Sequence, residues 1–542
     1  MPPKTSQHSK SNDPNNDPQT SGPRIRRALI AVADKSGLTD FAQQLAALDI
    51  EIISTGGTAQ VLRDHNIPVR EVQEITGFPE IMGGRVKTLH PLVHGGILGR
   101  RDVEEDQEAM REHDIHGIDL VVVNLYRFEE TVRGGASFED AIEQIDIGGP
   151  TMVRAAAKNH EHVAIVVNPE RYEAISAELQ AGSASLSGET RKALALEAFQ
   201  RTAAYDAAIS NWFGSQLHEQ ELPRVYTEQW QRIGELRYGE NPHQRAAWYG
   251  REDGGDFSLG RAKVIEGKAI SYNNLLDVSA AIECMRALQG PAAVIVKHCL
   301  PCGAAEADNL GTAFERALDG DRVSAFGGIA AFSEPLDPDT AARFATRDHF
   351  FEVVYAPCFE PGTEDVIRNG AKWGKNCRLI EGGEREAEVA RPLEIRSVPG
   401  ALLVQEWDRP MAATEQFEVV SKRKPTDAEW QDLLFAWRVV PFVRSNAILL
   451  AANRAVIGAG AGQPSRVDAV AIACRKAGER SRGAVLASDA FFPFPDGVEV
   501  AAEAGVRAVI QPGGSIRDDK VVEAADAADM ALVVTGERHF KH

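Results

Sequence analysis

From Ala28 onward, short apolar runs alternate with amphipathic stretches. ALIAVA (28–33) precedes LTDFAQQLAAL (38–48), IEIIS (50–54) precedes TAQVLRDH (58–65), and IDLVVVNLY (118–126) and VAIVVN (163–168) follow. Short apolar strands separated by helices of this length read as βαβ units around a parallel sheet. The pattern predicts a doubly wound α/β domain over 25–218, closed by a helix around 190–216. Across 219–236 the chain turns polar, which marks a linker. Beyond it, AAVIVKH (292–298), GIAAF (328–332) and FEVVYA (351–356) alternate with helices such as VSAAIECMRAL (278–288). The same style returns in AVLASDAFF (484–492), VRAVIQPGG (506–514) and MALVVTG (530–536). No sequence recurs at a fixed period, so two related α/β subdomains within 237–542, divided near 400, rest on style alone.

Residues 1–24, rich in Pro, Asn, Ser and Asp, break the pattern and read as a disordered tail without a signal-peptide core. Nowhere is there an apolar run of about 18 residues that could span a membrane. The 542 residues suit about three or four domains. Lys and Arg number 59 against 79 Asp and Glu, a net charge of −20. That balance works against an electrostatic grip on nucleic acid or an anionic membrane, so any phosphate must be held in a local pocket. The six cysteines (Cys284, Cys299, Cys302, Cys358, Cys377, Cys474) make no disulfide framework and read as reduced thiols of a cytoplasmic protein.

Ser54-Thr55-Gly56-Gly57-Thr58 follows a strand and opens a helix. The glycines allow close backbone approach and the helix start offers N–H groups to an anion, while a plain Thr-capped turn explains the same residues. Gly83-Gly84-Arg85-Val86-Lys87-Thr88 adds two cations on flexible backbone, and the two loops together point to a phosphate pocket. His90 and His94 have the spacing of a helical zinc pair but lack the accompanying Glu, and a proline follows the first. His298, Cys299 and Cys302 look like zinc ligands, yet the His-x-Glu and Pro-Cys-x-x-Cys of a zinc deaminase are missing, and the cysteines read as bystanders. Lys297-His298 ends an apolar strand, where a histidine beside a cation suits proton removal from an amine; a surface pair is the alternative. Asp146 stands just before an Ala-rich helix that runs to Lys158, a placement the helix dipole alone would explain.

These segments and others resemble one family across about 515 residues: the bifunctional purine-biosynthesis enzymes that combine AICAR transformylase and IMP cyclohydrolase. The matching stretches are STGGTAQVL, TGFPEIMGGRVKTLHPLVHGGILGRR, NLYRFEETV, IDIGGPTMVRAAAKN, LRYGENPHQ, ISYNNLLD, SAFGGIAAF, RSNAILLA, GAGQPSRVD, ASDAFFPFPDG and QPGGSIRDD. The resemblance implies a methylglyoxal-synthase-like N-terminal domain followed by two cytidine-deaminase-like α/β subdomains without zinc. It implies formyl transfer from 10-formyltetrahydrofolate to the 5-amino group of AICAR, then dehydrative closure of formyl-AICAR to IMP. It also implies a homodimer, no catalytic metal and small-molecule substrates only, and leaves a monovalent cation open.

Carried over by motif, Asp34, Lys35, Thr55, Gly56, Gly57, Thr58, Arg85, Thr88 and Asn124 would hold the nucleotide of the cyclohydrolase. Lys87, Tyr126, Asp146 and Lys158 would surround its reacting atoms, with Lys158 moving the proton. In the transformylase, His298 would be the general base, Lys297 would stabilise charge at the formyl oxygen and Asn446 would orient the substrate. Arg237, Tyr238, Gly327, Glu352, Arg466, Asp496, Arg538 and Phe540 would bind AICAR, and Val467, Phe491, Ser515 and Ile516 the folate. Two positions depart from the family: Leu300, where an Asn or Ser is usual, and Pro441-Phe442, where a Lys-His is usual. The second departure suggests a lost cation near Asn446. A zinc deaminase, or a chain whose first module has become a regulatory nucleotide-binding domain, are the rival readings; intact Lys87, Tyr126, Asp146 and Lys158 argue against the latter.

Overall fold

The computed structural model describes residues 22–217, 222–251, 258–384, 393–408 and 414–542. The tail read as disordered lies almost wholly outside these. The chain divides into two units between Gln229 and Trp230. The division falls in the polar stretch read as a linker, but the end of that stretch is a strand, Gln231–Leu236, whose mostly exposed residues carry no apolar signal.

In the first unit β1 (Arg27–Ile30), β2 (Glu51–Ser54), β3 (Arg70–Glu71), β4 (Leu120–Val122) and β5 (Ala164–Val166) form a parallel sheet in the order β3-β2-β1-β4-β5. The two-residue period of a strand splits its side chains between two cores. Ala28, Ile30, Ile52, Leu120, Val122, Ala164 and Val166 join one with helices Leu38–Ala47 and Tyr172–Ala181. Leu29, Ile53, Val121 and Ile165 join the other, with helices Pro91–Leu98, Gly148–Lys158 and Gly188–Leu217. Burial on both faces is why these strands read as unbroken apolar runs. The strand order reverses between β1 and β4, and a crevice opens beyond their carboxyl ends, as such a reversal requires.

The second unit begins with the ribbon β6 (Gln231–Leu236) and β7 (Ala246–Gly250). Then come β8 (Lys263–Glu266), helix Tyr272–Arg286, the hairpin β9 (Ala292–Lys297) and β10 (Leu300–Glu306), helix Leu310–Gly320, β11 (Gly328–Phe332), helix Pro338–Phe344, β12 (Phe351–Ala356), helix Thr363–Gly370 and β13 (Arg378–Glu381). After a second ribbon, β14 (Glu394–Val398) with β15 (Ala401–Gln405), the succession returns. It runs β16 (Glu418–Val419), helix Asp427–Val439, β17 (Ile448–Ala452) and β18 (Ala455–Gly460), helix Arg466–Ala477, β19 (Val485–Ser488), helix Asp496–Glu503, β20 (Ala508–Gln511), helix Asp518–Ala527 and β21 (Ala531–Val534).

Each half pairs its strands in the same sense: an antiparallel hairpin, an antiparallel neighbour, two parallel pairs and an antiparallel edge strand. Bonding between β10 and β18 fuses the halves into one twelve-stranded sheet. The two subdomains visible in the sequence only as a style are thus a structural duplication.

Candidate active sites

The crevice of the first unit holds a cavity of about 700 Å³. Its floor is the loop after β1, pinned from β4: Asn124 Oδ1 accepts from the N–H of Ala33 (2.5 Å) and Asp34 (2.8 Å), and its Nδ2 donates to Asp34 O (2.9 Å). The buried Thr58 hydroxyl accepts from Val32 N and donates to Val32 O, locking the turn after β2 to the same loop. Two helices, Gly56–Asp64 and Gly148–Lys158, begin at the cavity: Thr55 and Gly57 line it from the first, Ile147, Gly148 and Gly149 from the second. Both present the positive end of a dipole, a setting for an anion.

The cations stand among these helix starts. Lys87 lines the cavity 3.3 Å from Glu80, between two turns of left-handed glycine. A Cβ on Gly84 would lie 2.7 Å from Lys87 Cε, and one on Gly56 3.5 Å from its Nζ, so the glycines make the lysine's berth. Burial holds the Lys35 ammonium below its ordinary pKa, while it donates to the carbonyls of Val32 and Ala33. Asp146 is pushed above the usual carboxylate range by burial, against the pull of the Gly149 N–H that it accepts at 2.8 Å and of the nearby Lys87 charge. Its backbone N–H donates to the buried Tyr205 hydroxyl, which donates in turn to Gln144 O.

Of the residues carried over to this site, Lys35, Thr55, Gly57, Thr58, Arg85, Lys87, Thr88, Asn124, Tyr126 and Asp146 line one cavity. Asp34 does not: its carboxylate accepts from the Ser36 hydroxyl and N–H, which hold it below the usual range with a smaller pull from Arg127 at 3.6 Å. Gly56 contributes conformation, with φ +45°. Lys158 is exposed at the far end of its helix, ten residues from Gly148, or about 15 Å along the axis. Motif reading missed Glu143, which also lines the cavity, and Tyr205, which carries Asp146 from a distant helix. Of the histidine pair, His90 caps helix Pro91–Leu98 by accepting from Leu92 N, and burial depresses the pKa of His94.

In the second unit the strand directions gather most of the residues carried over to the transformylase along one edge of the sheet. The β9–β10 turn, the starts of β11, β12 and β17 and the ends of β18 to β21 all meet there. Lys297 Nζ donates to the carbonyls of Gly327 (2.8 Å) and Phe326 (3.2 Å). His298 and Cys299 form the two-residue turn in left-handed conformation, φ +53° and +59°. Asp277, on the preceding helix, accepts the Cys299 N–H at 2.6 Å and so fixes the turn with His298 exposed at its tip.

Arg466, buried at the start of its helix, donates to Asp489 (2.6 Å), Ser488 (2.7 Å) and the Asn446 side-chain oxygen (2.6 Å). Asn446 donates back to the carbonyls of Gln463 and Pro464. Val467 follows Arg466, and Asp496 opens the next helix with its carboxylate on the Gly497 N–H. Phe491 and Ile516 are exposed along this edge, and Ser515 accepts from Arg517 N. Arg538 lies over the Phe540 ring at 4.6 Å, and Arg237 over Tyr238 at 4.6 Å. Glu352 is paired with Arg378 at 2.5 Å.

The departures take definite places. Leu300 pairs with Lys297 across the hairpin. Phe442 lies under Lys541 Nζ, 5.6 Å from its ring centre; the ammonium also pairs with Glu283 (2.6 Å), and the backbone carbonyl of Lys541 accepts the Ser445 N–H. Lys541 thus places its ammonium over Phe442, one of the two residues that depart from the family. Burial pushes the Cys302 thiol to about 12, and burial with the Asp277 carboxylate pushes Cys299 to about 11. Among the described residues no three His, Cys, Asp or Glu side chains converge as a metal site.

The model of the AICARFT/IMPCHase bienzyme family matches residues 156–476, and that of the MGS-like domain matches residues 37–151. A solved structure titled "Crystal structure of ForH" is 39% identical over 35% of this chain and 100% of its own, with a TM-score of 0.32.

Proposed function

The chain belongs to the AICARFT/IMPCHase bienzyme family, and from that premise we propose which of its residues carry each reaction. The two reactions are the last two steps of IMP synthesis: formyl transfer to AICAR from a folate co-substrate, then ring closure of formyl-AICAR. The first unit is assigned the ring closure. The observation that carries this assignment is the convergence, on one cavity, of two helix N-termini, the cations of Lys35, Arg85 and Lys87, and a carboxyl group whose pKa is raised.

In ring closure the carboxamide nitrogen attacks the formyl carbon of the same molecule, so the enzyme must fold the substrate and stabilise a tetrahedral oxyanion. The helix starts at Thr55–Gly57 and Ile147–Gly149 and the Arg85 guanidinium receive the phosphate. Asp146, as carboxylate, takes the proton of the carboxamide nitrogen. Lys87 and Tyr126 face the developing oxyanion and protonate it; the resulting hydroxyl takes the second proton back from Asp146 and leaves as water, while the former formamide nitrogen gives up its N–H proton to restore the donor. Lys158, outside the lining, has no part in this reading.

Formyl transfer is assigned to the sheet edge of the second unit. His298 takes a proton from the 5-amino group as its nitrogen bonds to the formyl carbon; the bond from that carbon to the folate nitrogen breaks, and the folate nitrogen is protonated. Lys297, turned toward Gly327, stabilises the formyl oxygen, and the Arg466–Asn446 pair orients the substrate. Exposed Phe491 and Ile516, with Leu402 and Leu403 on the β14–β15 ribbon, support a homodimer that completes this edge. The decisive experiment follows folate release and IMP appearance separately in one purified sample: both must occur, and substitution at His298 must stop only the first.

A further inference from the structure

Two of the three cations that line the first unit's cavity, Arg85 and Lys87, are already engaged by carboxylates. Arg85 Nη2 lies 2.5 Å from Glu143 Oε1, and its Nε donates to Glu143 Oε2 at 3.3 Å, a fork-to-fork pair. Arg85 belongs to the glycine loop and Glu143 to the helix Phe138–Glu143, so the pair bridges two walls of the same cavity, and both residues line it. Lys87 and Glu80 repeat the arrangement more loosely at 3.3 Å. A phosphate presents to a guanidinium the planar oxygen pair that a carboxylate presents.

We propose that Glu143 is an internal competitor for the nucleotide's phosphate, holding Arg85 when the cavity is empty and reclaiming it as product leaves. The inference rests on the reading that this cavity binds the nucleotide. The physical argument is one of exchange. Arg85 cannot engage a phosphate and the Glu143 carboxylate with the same two N–H groups, so nucleotide binding has to break the pair. Both partners are well exposed, with 64% and 60% of their side-chain surface open, so the exchange needs no unfolding, and the bond broken is weak enough to tune affinity without abolishing it. A carboxylate that only stiffened Arg85 would act with the opposite sign, since its loss would weaken phosphate binding.

The test is calorimetric titration of IMP into the full chain at fixed, low ionic strength, with Glu143→Gln, Arg85→Gln and the double variant. Removing the competitor should tighten IMP binding about three- to fivefold, the range an exposed ion pair allows. In the Arg85→Gln background the same substitution should change affinity by less than about twofold, since the pair it breaks is already gone. Unchanged or weaker binding by Glu143→Gln would overturn the proposal. So would a gain that persists in full without Arg85, which would mark plain charge repulsion. Failure of the parent protein to bind IMP at all would instead remove the assignment of the cavity itself.

Discussion

Glu306 and Arg438, 132 residues apart, form a forked ion pair at 2.8 and 3.0 Å in the interior of the second unit. Glu306 ends β10 in the first half of the duplicated sheet, and Arg438 lies near the end of a helix in the second half. Glu306 also accepts the Gln289 N–H at 2.8 Å, and both side chains are almost wholly buried. The pair therefore ties the halves beside the β10–β18 junction. Removing one member leaves the other charge buried, at a cost of about 3–5 kcal/mol. Glu306→Ala should lower the stability of the second unit by that amount in urea denaturation. A loss below about 1 kcal/mol would show that the pair contributes little to holding the halves together.

Activities assigned to separate sites should be separable. Lys87→Met should reduce closure of supplied formyl-AICAR by about a hundredfold or more, the scale of losing one charge from an oxyanion site, while folate release stays at the parent rate. His298→Ala should do the reverse. Paired assays on each purified variant decide the matter, and a variant that folds normally but loses both reactions would contradict two independent sites.

Asp146 makes a prediction about pH. Its pKa is raised, mainly by burial, so the folded state favours the protonated form relative to the unfolded chain. The stability this contributes is present at low pH and is lost as pH rises from the ordinary carboxylate range through the raised value. Activity runs the other way, because the carboxylate is the proposed base. The kcat/KM of ring closure should rise with pH along an acid limb lying above the ordinary carboxylate range, and Asp146→Asn should abolish that limb. An acid limb retained in Asp146→Asn would assign it to another group.

The parts of this molecule that were legible in the sequence are those with local causes. GIAAF and FEVVYA match β11 and β12 residue for residue because strands buried on both faces are apolar along almost their whole length, with Glu352 the one charged exception. The loops around Gly56 and Lys87 were legible because glycine and cation lie close together in the chain. What stayed hidden depends on distant partners. Tyr205 reaches Asp146 across 59 residues, and Arg466 meets Asp489 across 23. The duplication stayed hidden because its halves share strand direction and burial, which many apolar residues satisfy equally. Lys158, which the motif carries into the site, stands at the far end of its helix, outside the residues that line the cavity.

The duplication also supplies its own control for the turn to which formyl transfer is assigned. Asp277 is the sixth residue of helix Tyr272–Arg286 and accepts the Cys299 N–H; Asp432 is the sixth of helix Asp427–Val439 and accepts the N–H groups of Asn453 (3.0 Å) and Arg454 (2.6 Å). Both turns hold two residues in left-handed conformation, Asn453 and Arg454 each at φ +54°. Side chains other than glycine pay for that conformation with roughly 1–2 kcal/mol per residue, so the aspartate is what keeps each turn in place. Only the first turn carries the Lys-His pair, and the antiparallel β10–β18 junction sends the second to the opposite edge of the sheet. Asp277→Ala should therefore slow formyl transfer by about ten- to a hundredfold, chiefly in kcat, since misplacing a base by an ångström has that effect. Asp432→Ala should cost comparable stability and leave formyl transfer at the parent rate. Steady-state kinetics with denaturation curves for both variants provide the check: equal effects on formyl transfer would mean that Asp277 acts through stability alone and does not position His298.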